Sequence, residues 1–126
     1  MPIVTVTLRK PKTKEFKARL LKTIHAALVE IGVDANDRFQ RVIELDDVDF
    51  QFDDSFPDVR TRRTDSFVLI EILLGVGRSV KVKKHVINRI VERLSAHGMD
   101  PENLMIIVQE VPWENWSPAG GRTPEA

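Results

Sequence analysis

Apolar positions along the chain change period several times, in an order that repeats. Ile3 to Leu8 (IVTVTL) alternates and is rich in β-branched residues, the pattern of a strand. After the Lys10-Pro11 break, Thr13 is a helix N-cap, and Phe16, Leu20, Ile24, Ala27, Leu28 and Ile31 recur at helical spacing up to Gly32. Phe39 to Leu45 (FQRVIEL) is a second strand. The series then restarts with Phe67 to Leu74 (FVLIEILL), a nearly continuous apolar run. Its period also fits a buried helix, but its length and flanking glycine favour a strand covered on both faces. Val82, Val86, Ile87, Ile90, Val91 and Leu94 mark a second helix, ended near Gly98, and Leu104 to Gln109 (LMIIVQ) is the fourth main strand.

Two consecutive βαβ units in one short chain predict an α+β fold, a four-stranded mixed sheet with both helices on one face. The repeats cover about 2–46 and 66–110, separated by an insertion at 47–65 and followed by a tail at 111–126, all within a single domain spanning 1–126. Helices on one side leave the other sheet face uncovered. Because apolar residues of Phe67 to Leu74 point both ways, a second subunit is expected to cover it.

Composition narrows the function. A chain of 126 residues is one domain with a sizeable core. Lys plus Arg and Asp plus Glu both number 19, so no net field draws the protein to nucleic acid or an anionic membrane. The absence of cysteine excludes disulfides, thiolate catalysis and Cys-rich zinc sites. With no signal-like N-terminus and no apolar run of spanning length, the expectation is a cytoplasmic protein without membrane contact. The insertion begins DDVDFQFDD, yet it lacks the glycine and closing glutamate of a calcium loop, so its acids read as solvated loop or hairpin residues and no metal is expected. None of the three histidines stands near a triad partner.

The candidate chemistry begins at Pro2. Proline suits the first position of a strand because it has no N–H to give. If Met1 is removed, its nitrogen also becomes a free secondary amine, a base with no side-chain counterpart. Ser79 in Gly77-Arg78-Ser79 is the expected cap of the second helix, which places Arg78 where a guanidinium and helix N–H groups can jointly receive a carboxylate. Asp37 stands at the entrance to the second strand, as either a turn residue or a functional one.

In this order, MPIVTVTL, DRFQ at Asp37 to Gln40, IEILLGVGRS and the late ENWSPAGG, the chain resembles the tautomerase superfamily. Within it, the chain is most similar to the malonate semialdehyde decarboxylase-like and 4-oxalocrotonate tautomerase-like proteins. The resemblance implies a homotrimer, a small carboxylate substrate and catalysis without a cofactor. It implies Pro2 as general acid and base, Arg78 as catalytic residue and carboxylate anchor, and Asp37 as the group orienting water or the substrate's polar end. Trp116 would wall the pocket, with Trp113 the weaker candidate.

Departures from the family separate the activities. Decarboxylases of this group carry two arginines separated by one residue before the second helix, whereas here the stretch is Gly75-Val76-Gly77-Arg78. Lys81, Lys83 and Lys84 follow the cap where relatives usually offer acids, and Pro118 follows Trp116-Ser117 in place of phenylalanine. Keto–enol tautomerisation of a small 2-oxo acid requires nothing that is missing. Decarboxylation or hydration of a small oxo acid, and a trimeric protein that binds without turnover, are the alternatives.

Overall fold

The computed structural model describes residues 1–124. Strands β1 (Ile3–Arg9), β2 (Phe39–Leu45), β3 (Val68–Gly75) and β4 (Leu104–Val111) alternate with helices α1 (Lys14–Glu30) and α2 (Val80–Ala96) as two strand–helix–strand units. β1 begins at Ile3 as the apolar pattern predicts and runs one residue further, Phe67 lies just outside its ladder so that β3 begins one residue later, and β4 runs two residues further. Both helices are 17 residues long and begin alike. Thr13 Oγ1 accepts the Phe16 N–H at 3.0 Å, and Ser79 Oγ accepts the Val82 N–H at 3.2 Å. A cap of this kind is worth about 1 kcal/mol.

The strand order is β2-β1-β3-β4, with β1 and β3 antiparallel at the centre and each paired in parallel with the second strand of its own unit. Two units related by a two-fold normal to the sheet send their crossover helices to the same face. Val4, Val6 and Leu8 with Val68, Ile70, Ile72 and Leu74 form the floor of the core, roofed by Leu20, Ile24 and Leu28 of α1 and Val86, Ile90 and Leu94 of α2.

A charged clamp joins the helices at their edge. Glu30 accepts from Arg89 through Nε at 2.9 Å and Nη2 at 3.1 Å, and also from Arg93. Hydrogen bonds from these guanidinium groups lower the Glu30 carboxyl from its ordinary 4.5 to about 2. A carboxyl whose value is depressed by folding stabilises the native state above its unfolded value and loses that contribution as pH falls through the folded one. Glu30→Gln is therefore expected to lower Tm most above pH 4.5, with the gap to the parent closing toward pH 2, as followed by thermal melts across that range. The pair is partly solvated, so the effect is modest.

The opposite sheet face is open. Its alternating positions include Phe39, Ile43 and Ile107, which are 54, 38 and 48% exposed, together with the charged pair of positions Arg41 and Glu71 on either side of Thr5. Exposed apolar residues grouped on one surface are the signature of an interaction face.

The insertion is a loop with one short turn at Asp47–Asp49 and no strand, so the hairpin alternative does not hold. Phe50, Phe52 and Phe67 stack with ring centroids 4.4–5.9 Å apart, and the Arg9 guanidinium lies 4.2 Å from the Phe52 centroid. The nearly buried Arg63 donates to the carbonyls of Asp53 and Phe56. Asp53 is spent on the turn itself, accepting the N–H groups of Ser55 and Phe56 at 2.8 and 2.7 Å. This cluster sits at the end of β1 opposite Pro2.

Candidate functional site

Strand register gathers the candidate residues. Ile3 pairs with both Phe39 and Leu73, so the chain before β1 lies between the entrance of β2 and the exit of β3. Asp37 is at the first of these and Gly75-Val76-Gly77-Arg78 at the second. Gly75 in turn pairs with Val111, which brings the Trp113–Trp116 segment to the same end of the sheet.

Asp37 belongs to a turn that another aspartate builds. Asp34 Oδ1 accepts the Asn36 N–H at 2.8 Å, and the Asp34 carbonyl accepts the Asp37 N–H at 2.9 Å. The Asp37 carboxylate is thereby left over, and its Oδ2 lies 3.1 Å from the amino terminus of Met1. Oδ1 is buried with no hydrogen-bond partner among the described residues. A carboxylate oxygen in that condition is costly unless something donates to it, which favours a functional residue over a turn residue. Pro2 itself is buried.

The exit of β3 is held on both sides. The Val76 N–H donates to the Val111 carbonyl at 3.1 Å, and the Val76 carbonyl accepts from Trp113 Nε1 at 3.1 Å. Gly77 follows at φ +123°, a conformation that L side chains rarely adopt, and turns the chain into Arg78 and the Ser79 cap. Arg78 is half-buried and, among the described residues, has no carboxylate within 4 Å. An unpaired, partly desolvated guanidinium at a helix N-terminus is a ready receptor for a carboxylate.

The two tryptophans are held by different contacts. Trp116 is 7% exposed and donates Nε1–H to the Val111 carbonyl at 3.2 Å, which anchors the tail to its own strand. Trp113, the weaker candidate, lies directly on Gly75, where an added Cβ would overlap its indole ring. Gly75→Ala is expected to displace that ring and cost about 1–3 kcal/mol by overpacking. Because the chain has only two tryptophans, both in this segment, a lower Tm should be accompanied by a shift in intrinsic fluorescence.

One pair escaped the sequence reading. Lys83 Nζ, in the first turn of α2, donates to Glu110 Oε1 of β4 at 2.7 Å. That hydrogen bond, the Gly77 amide and the nearby Arg78 hold the Glu110 carboxyl below its ordinary value against the opposing effect of burial. The residues are 27 apart and no local spacing links them; only the β3–β4 register, with Leu74 beside Glu110, brings them together. The histidines serve elsewhere: His25 Nε2 is 2.9 Å from the Ala35 carbonyl oxygen, and His97 caps α2. Among the described residues no three His, Asp or Glu side chains cluster so as to hold a metal ion, and no helix is long and apolar enough to cross a membrane.

A groove of about 1030 Å³ runs between the end of α1 and the start of α2, past Ile31, Val80 and His85. It is not lined by Pro2, Asp37, Arg78 or either tryptophan, which face the sheet end instead.

Comparison with known proteins agrees with this geometry. Over 124 residues the chain is 28% identical to a probable tautomerase, YusQ, of Bacillus subtilis (strain 168), covering 97% of this chain and 96% of that one. Its structure is similar to that of FG41 malonate semialdehyde decarboxylase inhibited by 3-bromopropiolate, with a TM-score of 0.85, 26% identity, and coverage of 95% of this chain and 91% of that one. The fold is shared with a wild-type fused 4-OT symmetric trimer at a TM-score of 0.72 and 22% identity, over 96 and 94% of the two chains. Residues 37–119, which run from Asp37 through the Arg78 turn to both tryptophans, match the family model for tautomerase enzymes, and the chain belongs to that family.

Proposed function

We propose that the protein is a cofactor-independent tautomerase that interconverts the enol and keto forms of a small 2-oxo acid, with the amine of Pro2 as general acid and base. The observation that carries this reading is the convergence, through strand register, of the amino-terminal segment, the Asp37 carboxylate and an Arg78 guanidinium with no carboxylate partner among the described residues, at one end of the sheet. Removal of Met1 frees the Pro2 nitrogen. An α-amine titrates near ~8, and desolvation beside a guanidinium favours its neutral form, which can accept a proton at pH 7.

In the ketonising direction, the Pro2 nitrogen takes the enol O–H proton. The oxygen electron pair forms the C=O bond, the C=C electrons capture a proton at carbon 3, and the prolinium supplies that proton, returning to its neutral state. Arg78 anchors the substrate carboxylate and stabilises charge on the enolate oxygen. Asp37 holds the substrate's polar end or a water through Oδ1, which has no partner among the described residues, and Trp113 and Trp116 wall the site.

The working assembly on this reading is a homotrimer in which neighbouring copies cover the open sheet face. Exposed Phe39, Ile43 and Ile107 support it.

Decarboxylation or hydration of an oxo acid is the second reading, favoured by similarity to a malonate semialdehyde decarboxylase and opposed by Val76, which stands where that group carries its first arginine. Ketonisation of phenylenolpyruvate and 2-hydroxymuconate, followed by absorbance, tests the first reading, and carbon dioxide release from malonate semialdehyde tests the second. Turnover of the enols without carbon dioxide release supports tautomerisation. Turnover of none above the buffer rate leaves a protein that binds without reacting.

A further inference from the structure

We propose that Glu110 sets the charge selectivity of this site: by engaging Lys83 beside the Gly77-Arg78 turn, it leaves Arg78 as the single anchor and restricts the substrate to a monocarboxylate with an apolar tail. This inference rests on the reading of Arg78 as the carboxylate anchor.

The start of α2 is rich in cations, with Arg78, Lys81, Lys83 and Lys84 in seven residues. Taken at face value, that density fits a substrate carrying two carboxylates. The structure distributes the charges otherwise. Lys81 and Lys84 are exposed to solvent, where an ammonium is screened and binds a carboxylate weakly. Lys83 is the cation held partly inside, and its ammonium is already occupied at 2.7 Å by Glu110. Arg38, beside Asp37, is exposed and donates Nε–H to Gln40 Oε1 at 2.9 Å.

Glu110 is well placed to hold this arrangement. It projects from the β4 position paired with Leu74, one residue before the strand end that flanks Gly75, and its carboxylate accepts from Lys83 Nζ at 2.7 Å. Lys83, whose amide donates to the Ser79 carbonyl at the cap that follows Arg78, is thus held by Glu110 and neutralised. The position two residues before Arg78 is Val76, which is 38% exposed and tied to the β4 end by both of its backbone groups. With Trp113 beside it, this surface offers apolar contact to the part of a substrate away from Arg78.

Selectivity of this kind is a ratio of kcat/KM values, and it is set as much by what cannot be paired as by what can. A second carboxylate entering the site would meet Val76, a solvent-screened Lys81, or a Lys83 that has to give up Glu110. A substrate with one carboxylate and an aryl or alkyl tail meets none of these conflicts.

The test measures kcat/KM for phenylenolpyruvate, with one carboxylate, and 2-hydroxymuconate, with two. The variants are Glu110→Gln, Lys83→Met, their combination, and Arg78→Ala. Freeing Lys83 should raise the dicarboxylate-to-monocarboxylate ratio about tenfold in Glu110→Gln, the scale of one charge-assisted hydrogen bond. The rise should vanish when Lys83→Met is added, because the effect passes through that ammonium. A loss of packing would lower both substrates together and leave the ratio alone. Glu110→Ala frees Lys83 in the same way and gives the reading should the glutamine variant not fold. A ratio within twofold of the parent's, or an equal rise without Lys83, overturns the proposal. Arg78→Ala separates the two claims: if it leaves both substrates unaffected, the anchor reading fails, whereas its loss of both with an unchanged ratio in the Glu110 variants removes only the role of Glu110.

Discussion

Arg78→Ala is expected to lower kcat/KM for the enol of a 2-oxo acid by about 10²- to 10³-fold, the usual effect of removing a group that stabilises developing oxyanion charge. The side chain is half-buried, has no carboxylate partner among the described residues and follows a glycine turn locked between β3 and β4. Since it is tied to no structural ion pair, its removal should leave Tm nearly unchanged. KM should rise through loss of the carboxylate anchor, and kcat should fall through loss of charge stabilisation on the enolate. Arg78→Lys keeps the charge without the planar fork and should recover only part of the loss. Taking away a nearby cation also favours protonation of the Pro2 amine, so the acid limb of the pH–rate profile should move to higher pH. A lower Tm with an unmoved profile would instead mark Arg78 as a structural residue.

Pro2→Ala, in a chain processed after Met1, is expected to reduce kcat/KM by about 10²-fold or more, within the range assigned to a positioned general acid and base. The variant keeps an amine at the same place in the chain, so the loss isolates what the ring contributes. Proline fixes its own backbone torsion and buries an apolar ring, holding the nitrogen pointed and poorly hydrated. A primary amine at residue 2 rotates more freely and hydrates better, which raises the fraction protonated and blurs its aim. The fold should persist, because Pro2 precedes the β1 ladder and has no N–H to give to it.

The layout was legible in the sequence where local patterning determines it. Thr13 and Ser79 cap the helices as their positions before an apolar repeat require, and alternation in IVTVTL fixes which side of β1 is buried. Duplication of the strand–helix–strand pattern then implies both helices on one face. Site residues were legible only in part. Asp37 was divided between turn and site; the structure shows that the Asp34 side chain builds the turn, while Asp37 Oδ2 faces the amino terminus and Oδ1 has no partner among the described residues. Register is what periodicity cannot supply: it places Trp113 on Gly75 and Glu110 on Lys83, contacts between residues distant in the chain. The acidic insertion likewise looked like a free loop, yet its shape comes from Arg63 and a stack of phenylalanines at the far end of the sheet.

The central claim is that the nitrogen of Pro2 is the reacting base, and one comparison tests it most directly. With Met1 attached, that nitrogen is an amide with no basic lone pair, and the Met1 ammonium lies 3.1 Å from Asp37. Protein would be separated into forms with and without Met1, each verified by intact mass, and assayed for ketonisation of the same enol. The form beginning at Pro2 should carry all the activity, with the Met1-bearing form at the buffer rate and equal in Tm. Equal turnover by the two forms would contradict the account.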